Sequence, residues 1–186
     1  MVDLHELPAG LPVPQDDGAA RGLVGRRMPS VVLPATSRDD VDLAALGAGR
    51  TVLYVYPRTG RPGEELPDGW DATPGARGCT AEACDFRDHL ADLVRAGADR
   101  VLGLSGQDTA YQRELVGRLH LPYPMLADPD LVCARELGLP TFELAGSRYY
   151  ARLTLVVKDD VVEHVFYPVF PPDQHAREVL AWLEHA

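Results

Sequence analysis

Residues 51–57 read TVLYVYP and residues 78–88 read GCTAEACDFRD, and these two stretches mark the strand and the helix on which the fold is built. The first is a run of β-branched and aromatic residues that ends at a proline, which is typical of a short buried strand. In the second, a glycine is followed by a helical pattern of apolar residues that begins at Cys79. Cys79 is therefore expected in the first turn of a helix, on the face that points toward the core.

Two cysteines lie five residues apart on this helix, and their positions indicate thiol redox chemistry. Cys79 faces unpaired backbone N–H groups and the positive end of the helix dipole, which both favour the nucleophilic thiolate. Cys84 lies about 100° around the helix from Ala83, on the more polar side. On an intact helix the two cysteine Cα atoms are roughly 8.6 Å apart, beyond the ~7 Å limit for a disulfide. A Cys79–Cys84 bond therefore requires this turn to unwind.

Two other interpretations of the cysteines are weaker. Both could be ordinary core residues, because free cysteine is among the most buried residue types. A zinc site made from Cys79, Cys84, Cys133 and a histidine lacks any Cys-x-x-Cys or His-x-x-x-His pair that would supply two ligands at close spacing. We expect no metal, and we expect Cys133 to pack in a helix as a small hydrophobe.

The stretch around Cys79 resembles the peroxiredoxins, and among them the Q-type or bacterioferritin-comigratory subgroup of the alkyl hydroperoxide reductase and thiol-specific antioxidant family. The active-site helix of that subgroup carries a peroxide-reducing cysteine and a second cysteine five positions on. Residues 28–34, 121–129 and 150–157 are similar to further strands and turns of the family. The resemblance covers residues 24–184.

The resemblance implies a thioredoxin-like α/β fold with a central mixed sheet flanked by helices, which the alternation of strand and helix patterns also indicates. It implies an enzyme that reduces hydrogen peroxide or organic hydroperoxides without a cofactor. Cys79 would form a sulfenic acid, Cys84 would resolve it, and a thioredoxin-like protein would act as the reductant. A peroxide-sensing thiol relay, or an oxidoreductase of this fold that acts on a metabolite, would use the same cysteines.

Arg152 holds the position that matches the catalytic arginine of the family. It precedes a strand in which Leu153 and Leu155 share one face, so its side chain points to the other. There it would stabilise the Cys79 thiolate, the alternative being a structural salt bridge. Glu82, one turn from Cys79, would either orient Arg152 or simply stabilise the first turn of the helix.

One departure from the family pattern is the segment of 21 residues, residues 58–78, between Pro57 and Cys79, called the insert below. The family places a threonine three residues before the cysteine, where this chain has an alanine. Thr59 and Thr73 are the candidates for its role, and we favour Thr59 because it stays near Pro57. Glycines and prolines predict an irregular loop, which either covers the active site or is a tolerated surface insertion.

Composition and charge bound the remaining possibilities. The chain has 18 Lys and Arg against 28 Asp and Glu, a net charge of −10, which argues against nucleic acid as a partner. We expect no signal peptide, no membrane span and a reducing cytoplasm, because the chain lacks a basic and apolar leader, a long apolar run and a set of paired cysteines. Residues 1–23 are expected to form a flexible arm, and residues 24–186 a single domain.

The other elements follow from periodicity and turn residues. They are a helix over 79–96, a strand over 101–105, a helix over 108–119, a strand over 124–127, a helix over 130–137, a hairpin of 153–157 with 161–166, and a final helix over 173–185.

Overall fold

The computed structural model describes residues 7–186, so the first six residues of the predicted arm lie outside it. Nine strands occur in this part of the chain, and they are β1 (Val32–Leu33), β2 (Val41–Asp42), β3 (Arg50–Val55), β4 (Ala98–Ser105), β5 (Met125–Ala127), β6 (Thr141–Leu144), β7 (Ser147–Tyr150), β8 (Leu153–Lys158) and β9 (Val161–Phe166). Five of them form the central sheet, in the order β5-β4-β3-β8-β9. The β3, β4 and β5 pairings are parallel, whereas β8 pairs antiparallel with both β3 and β9. The sheet is therefore mixed.

Helices cover both faces of this sheet. They are α1 (Cys79–Asp88), α2 (Leu90–Arg95), α3 (Thr109–Leu119), α4 (Val132–Leu137) and α5 (His175–Leu183), with 3-10 turns at Leu43–Ala45, Trp70–Ala72 and Pro172–Gln174. Tyr54 of β3 belongs to the core that α1, α2, α3 and α5 complete, and its neighbour Leu53 belongs to the core that α4 completes. Because successive side chains of a strand point to opposite faces, one central strand serves both cores. This layering confirms the predicted thioredoxin-like α/β fold.

The predicted helix over residues 79–96 is interrupted. His89 leaves the helical conformation (φ −103°, ψ 6°) and separates α1 from α2. Its ring nitrogen Nδ1 lies 2.9 Å from the carbonyl oxygen of Asp85 and 3.1 Å from the carboxylate of that residue. Apolar spacing did not reveal the break, since Phe86 and Leu93 on either side of it both face the core.

A hairpin of β6 and β7, over residues 141–150, was not predicted from the sequence. Strand β7 ends at Tyr150 and β8 begins at Leu153, so Arg152 lies in the connection between the two strands. The β6–β7 turn has positive φ at Ala145 (50°) and Gly146 (77°), as a two-residue hairpin turn requires. The Ala145-Gly146 pair between alternating residues was the overlooked signal.

The other predicted elements are present with small shifts at their ends. Helix α3 is capped by Asp108, whose carboxylate accepts a hydrogen bond of 2.7 Å from the backbone N–H of Tyr111. Strands β8 and β9 form the predicted hairpin.

Residues 7–23 contain neither helix nor strand, and they lie against the domain. Leu23 is buried in the core on the α4 face. The hydroxyl of Tyr167 donates a hydrogen bond of 2.9 Å to the Asp17 carboxylate. The flexibility of the arm stays a prediction. Within residues 7–186, no helix has both the length and the apolar character needed to cross a membrane.

Candidate active site

The position of Cys79 is fixed by the way α1 begins and packs. Gly78 precedes the helix with φ +99°, and a side chain there would collide with Pro172. Further along α1, Phe86 stacks on Tyr54 of the sheet with ring centroids 4.5 Å apart. The Tyr123 hydroxyl donates a 2.7 Å hydrogen bond to the Ala83 carbonyl. These contacts hold the start of α1 against the sheet, and Cys79 is only 2% exposed.

Arg152 meets Cys79 from the connection between β7 and β8. Its Nη2 lies 3.1 Å from Cys79 Sγ and donates to the carbonyl oxygens of Arg77 at 3.0 Å and Ala76 at 3.4 Å. These carbonyls belong to the chain just before α1, so the guanidinium is oriented by the segment that presents the cysteine. The structure therefore brings together the predicted nucleophile and the predicted arginine.

Glu82 forms the other half of the arginine site. Its Oε2 accepts a hydrogen bond from Arg152 Nη1, and the side chains of both residues are almost completely buried. Glu82 Oε1 and Arg152 Nε are buried atoms for which the described part of the chain offers no hydrogen-bond partner. Of the two roles predicted for Glu82, the contact with Arg152 corresponds to the orienting one.

Burial opposes ionisation of the cysteine. It raises the pKa of the Cys79 thiol, and Arg152 is the largest influence in the other direction. The Glu82 carboxylate also raises this pKa, whereas a hydrogen bond from the backbone N–H of Arg58 lowers it. From the helix start alone, the sequence predicted a thiolate that forms easily. In the folded protein burial opposes ionisation, so the Cys79 thiolate depends on the positive charge of Arg152.

Thr59, the favoured threonine, is held by Gln107, two residues after the end of β4. Gln107 Oε1 accepts hydrogen bonds from the Thr59 backbone N–H at 2.9 Å and from its hydroxyl at 3.0 Å. Gln107 Nε2 and the Tyr111 hydroxyl both donate to the Thr59 carbonyl, at 3.2 and 3.0 Å. The threonine thus fixes the chain next to Arg58, whose N–H contacts Cys79. The catalytic role of its hydroxyl stays a prediction.

Thr73, the other candidate, has a local role. Its hydroxyl donates a hydrogen bond of 2.9 Å to the carbonyl of Gly69, and the side chain lies at the surface. Sequence analysis did not single out Gln107, because it is 48 residues from Thr59 along the chain.

Cys84 lies on α1 with Cys79, and its side chain is half-buried. Burial raises the pKa of the Cys84 thiol, and Arg87 opposes this rise. No disulfide joins any of the three cysteines in the structure. Cys133 lies in α4, in the core on the other face of the sheet from Cys79. Burial raises the pKa of its thiol strongly, and the sheet separates it from the active site.

The insert is packed against the domain. It is irregular as predicted, apart from the 3-10 turn Trp70–Ala72. Trp70 is 3% exposed and contacts Tyr149 and Phe142 of the β6–β7 hairpin, with ring centroids 5.1 and 6.2 Å apart. Aromatic pairs of this kind contribute about 0.5–1.5 kcal/mol beyond the area that they bury.

Within residues 7–186, no group of three or more His, Cys, Asp or Glu side chains is placed to hold a metal ion. A cavity of about 310 Å³ lies between the arm, the end of the insert and residues 167–169. Arg152 lines it but Cys79 does not, so we place the chemistry at the smaller space beside the sulfur.

Comparison with known proteins agrees with this geometry. The Redoxin family model matches residues 23–180. The chain is 29% identical to the chloroplastic peroxiredoxin Q of Arabidopsis thaliana, covering 93% of this chain and 75% of that one. It is 28% identical to the putative peroxiredoxin bcp of Coxiella burnetii, with 86% and 97% covered. The crystal structure of the peroxidoxin BcpB from Mycobacterium tuberculosis is similar with a TM-score of 0.66 at 27% identity, covering 87% of this chain and 96% of that one. The chain therefore belongs to the Redoxin family, and its likeness within that family is to the Q-type peroxiredoxins, as the residues around Cys79 predict.

Proposed function

We propose that this protein is a thiol-dependent peroxidase that reduces hydrogen peroxide or organic hydroperoxides at Cys79. The observation that carries the proposal is the contact of the buried Cys79 Sγ with Arg152 Nη2 at 3.1 Å, beside the backbone N–H of Arg58. A sulfur with a fixed cation and a fixed N–H donor next to it is prepared for negative charge, both as a thiolate and during attack.

The first step is attack of the thiolate on one oxygen of the peroxide. An S–O bond forms at Cys79, the O–O bond breaks, and the departing oxygen takes a proton to leave as water or an alcohol. The sulfur is oxidised to a sulfenic acid and the peroxide is reduced. Arg152 stabilises the charge that develops on the peroxide oxygens, which lowers the barrier because its donors are already oriented.

The second step joins Cys84 to the sulfenic acid. The Cys84 thiolate attacks the Cys79 sulfur, an S–S bond forms as the S–O bond breaks, and the departing hydroxide takes a proton to leave as water. Because both cysteines lie on the intact helix α1, the helix must unwind locally. Asp85, next to Cys84, accepts a 2.7 Å hydrogen bond from the backbone N–H of Ala176 in α5, and this contact resists the unwinding.

A dithiol protein of the thioredoxin type then reduces the disulfide by thiol–disulfide exchange and closes the cycle. We assign a thioredoxin-like reductant because an exposed thiol partner must supply two electrons per turnover and the proposed mechanism needs no cofactor. We also propose a reducing cytoplasm as its location, because three cysteines, two of them at redox spacing, do not resemble the cysteine set of a secreted disulfide scaffold.

The test is peroxide consumption with thioredoxin, thioredoxin reductase and NADPH. Wild-type protein should turn over repeatedly, Cys79→Ser should lose turnover while remaining folded, and Cys133→Ser serves as the matched control with full activity. Serine is nearly isosteric with cysteine but far less nucleophilic at neutral pH. Turnover retained in Cys79→Ser would refute the proposal, and a single stoichiometric oxidation without turnover would favour the thiol relay.

A further inference from the structure

The free space beside Cys79 is very small. It amounts to about 10 Å³, close to the least that holds one water molecule. Its lining residues are Arg58, Gly60, Leu66, Trp70, Arg77 and Gly78 from the insert, and Cys79 and Thr80 from α1. Six of the eight lining residues therefore come from the insert, which forms most of the wall of this space.

The first half of the insert is anchored on α3. The Arg61 guanidinium lies 3.8 Å from the centre of the Tyr111 ring, and its Nε is 3.4 Å from a carboxylate oxygen of Glu114. Arg118 of the same helix donates a hydrogen bond of 3.0 Å to the carbonyl of Gly60. A cation over an aromatic face and a charged hydrogen bond to the backbone both restrain this part of the wall.

The second half is anchored on the β6–β7 hairpin. Trp70 reaches the Cys79 space on one side and packs edge-on against Tyr149 on the other, with Phe142 beside it. Phe142 and Tyr149 are also stacked on each other, with centroids 5.6 Å apart. The tryptophan is therefore held by two hairpin side chains that do not themselves line the space.

We propose that the insert is a fixed cap that restricts the Cys79 site to small hydroperoxides, with hydrogen peroxide as its preferred substrate, and that Trp70 is the residue that sets this limit. The proposal rests on the peroxidase function and names its substrate class. A bulky aromatic hydroperoxide has to displace the indole before its O–O bond reaches the sulfur, whereas hydrogen peroxide, with only two heavy atoms, requires a much smaller movement of the wall.

The experiment compares initial rates with hydrogen peroxide and with cumene hydroperoxide. Wild-type protein should consume hydrogen peroxide at least roughly tenfold faster, which corresponds to about 1.4 kcal/mol of barrier. The double variant Phe142→Ala/Tyr149→Ala should raise the cumene hydroperoxide rate by at least roughly tenfold and leave the hydrogen peroxide rate within about threefold. Arg148→Ala is the matched control, because this side chain lies on the same hairpin at the surface.

Trp70→Ala provides a second route to the same answer if the double variant does not fold, and it should also raise the cumene hydroperoxide rate. Equal wild-type rates with the two peroxides, or a substrate ratio that neither the double variant nor Trp70→Ala changes, would overturn the cap proposal alone. A wild-type protein that consumes neither peroxide would overturn the peroxidase function along with it.

Discussion

Replacing Arg152 by methionine tests two effects of this arginine, which are to lower the pKa of the Cys79 thiol and to speed its oxidation by peroxide. The variant keeps a long side chain but loses the guanidinium that contacts Cys79, Glu82 and the carbonyls before α1. The influences on the thiol that remain include burial and the Glu82 carboxylate, which both raise the pKa of Cys79, so we expect this pKa to increase. At equal thiolate fraction, oxidation by peroxide should still slow by on the order of 10²-fold, about 2.7 kcal/mol, because a preoriented donor is lost.

The same substitution should destabilise the fold. Glu82 is 0% exposed and loses its cationic partner. Removing one member of a buried ion pair costs about 3–5 kcal/mol, since the other charge stays buried without compensation. The double variant Arg152→Met/Glu82→Gln removes both charges and should recover most of that loss. It should not recover the oxidation rate, because the donors to the reacting atoms are still missing.

Three measurements separate these effects. The pH dependence of Cys79 alkylation gives the thiol pKa, rapid mixing with peroxide gives the oxidation rate, and urea unfolding gives the stability. Arg50→Met is the matched control, because Arg50 also forms a close ion pair, with Glu163, but far from the sulfur. An Arg152→Met protein with the wild-type pKa and rate, or a double variant with a restored rate, would refute the reasoning.

The other predictions concern the resolving cysteine, the glutamine that holds the loop, and an ion pair at the sheet edge. After one equivalent of peroxide, peptide mapping should find a Cys79–Cys84 disulfide, and Cys84→Ser should accumulate sulfenic acid that dimedone traps; a disulfide to another cysteine would contradict this. Gln107→Leu removes the hydrogen bonds to Thr59 and should slow oxidation roughly tenfold with a shifted alkylation pH profile, whereas an unchanged profile would leave Gln107 a purely structural role. A hydrogen bond from Arg50 lowers the pKa of Glu163 below 4.5, so its stabilisation is present above 4.5 and is lost as the pH falls through the lowered value. Glu163→Gln should therefore cost about 0.5–1 kcal/mol in urea unfolding at pH 7 and nothing in strong acid, and a cost independent of pH would contradict the assignment.

The active-site helix could be predicted because its signals are local. The glycine before Cys79, the apolar spacing through Phe86 and the five-residue separation of Cys79 and Cys84 are all contained within one short stretch. The helix cap at Asp108 is also a local signal, because its partner Tyr111 is only three residues away. Periodicity and capping act over a few residues, so a sequence alone is sufficient to place such elements.

The role of Arg152 was predicted because its position matches a family motif. The contacts that Arg152 makes with Cys79 and Glu82 could be seen only in the folded structure. The sequence placed Arg152 just before a strand that starts at Leu153, where β8 does begin, but it did not predict the β6–β7 hairpin that ends at Tyr150. The guanidinium reaches Cys79 across 73 residues of chain. Burial of both groups, which opposes the thiolate and makes it depend on the arginine, exists only once the sheet and α1 are packed together.

The insert shows most clearly which features a sequence determines and which depend on tertiary contacts. Its glycines and prolines determined that it would be irregular, but not where it would lie. Its position is set by Trp70 against the β6–β7 hairpin, by Arg61 over Tyr111 and by Gln107 on Thr59. These partners are remote in sequence and carry no local periodic signal, so only the tertiary structure, by bringing distant segments into contact, decided that the insert would line the space beside the sulfur.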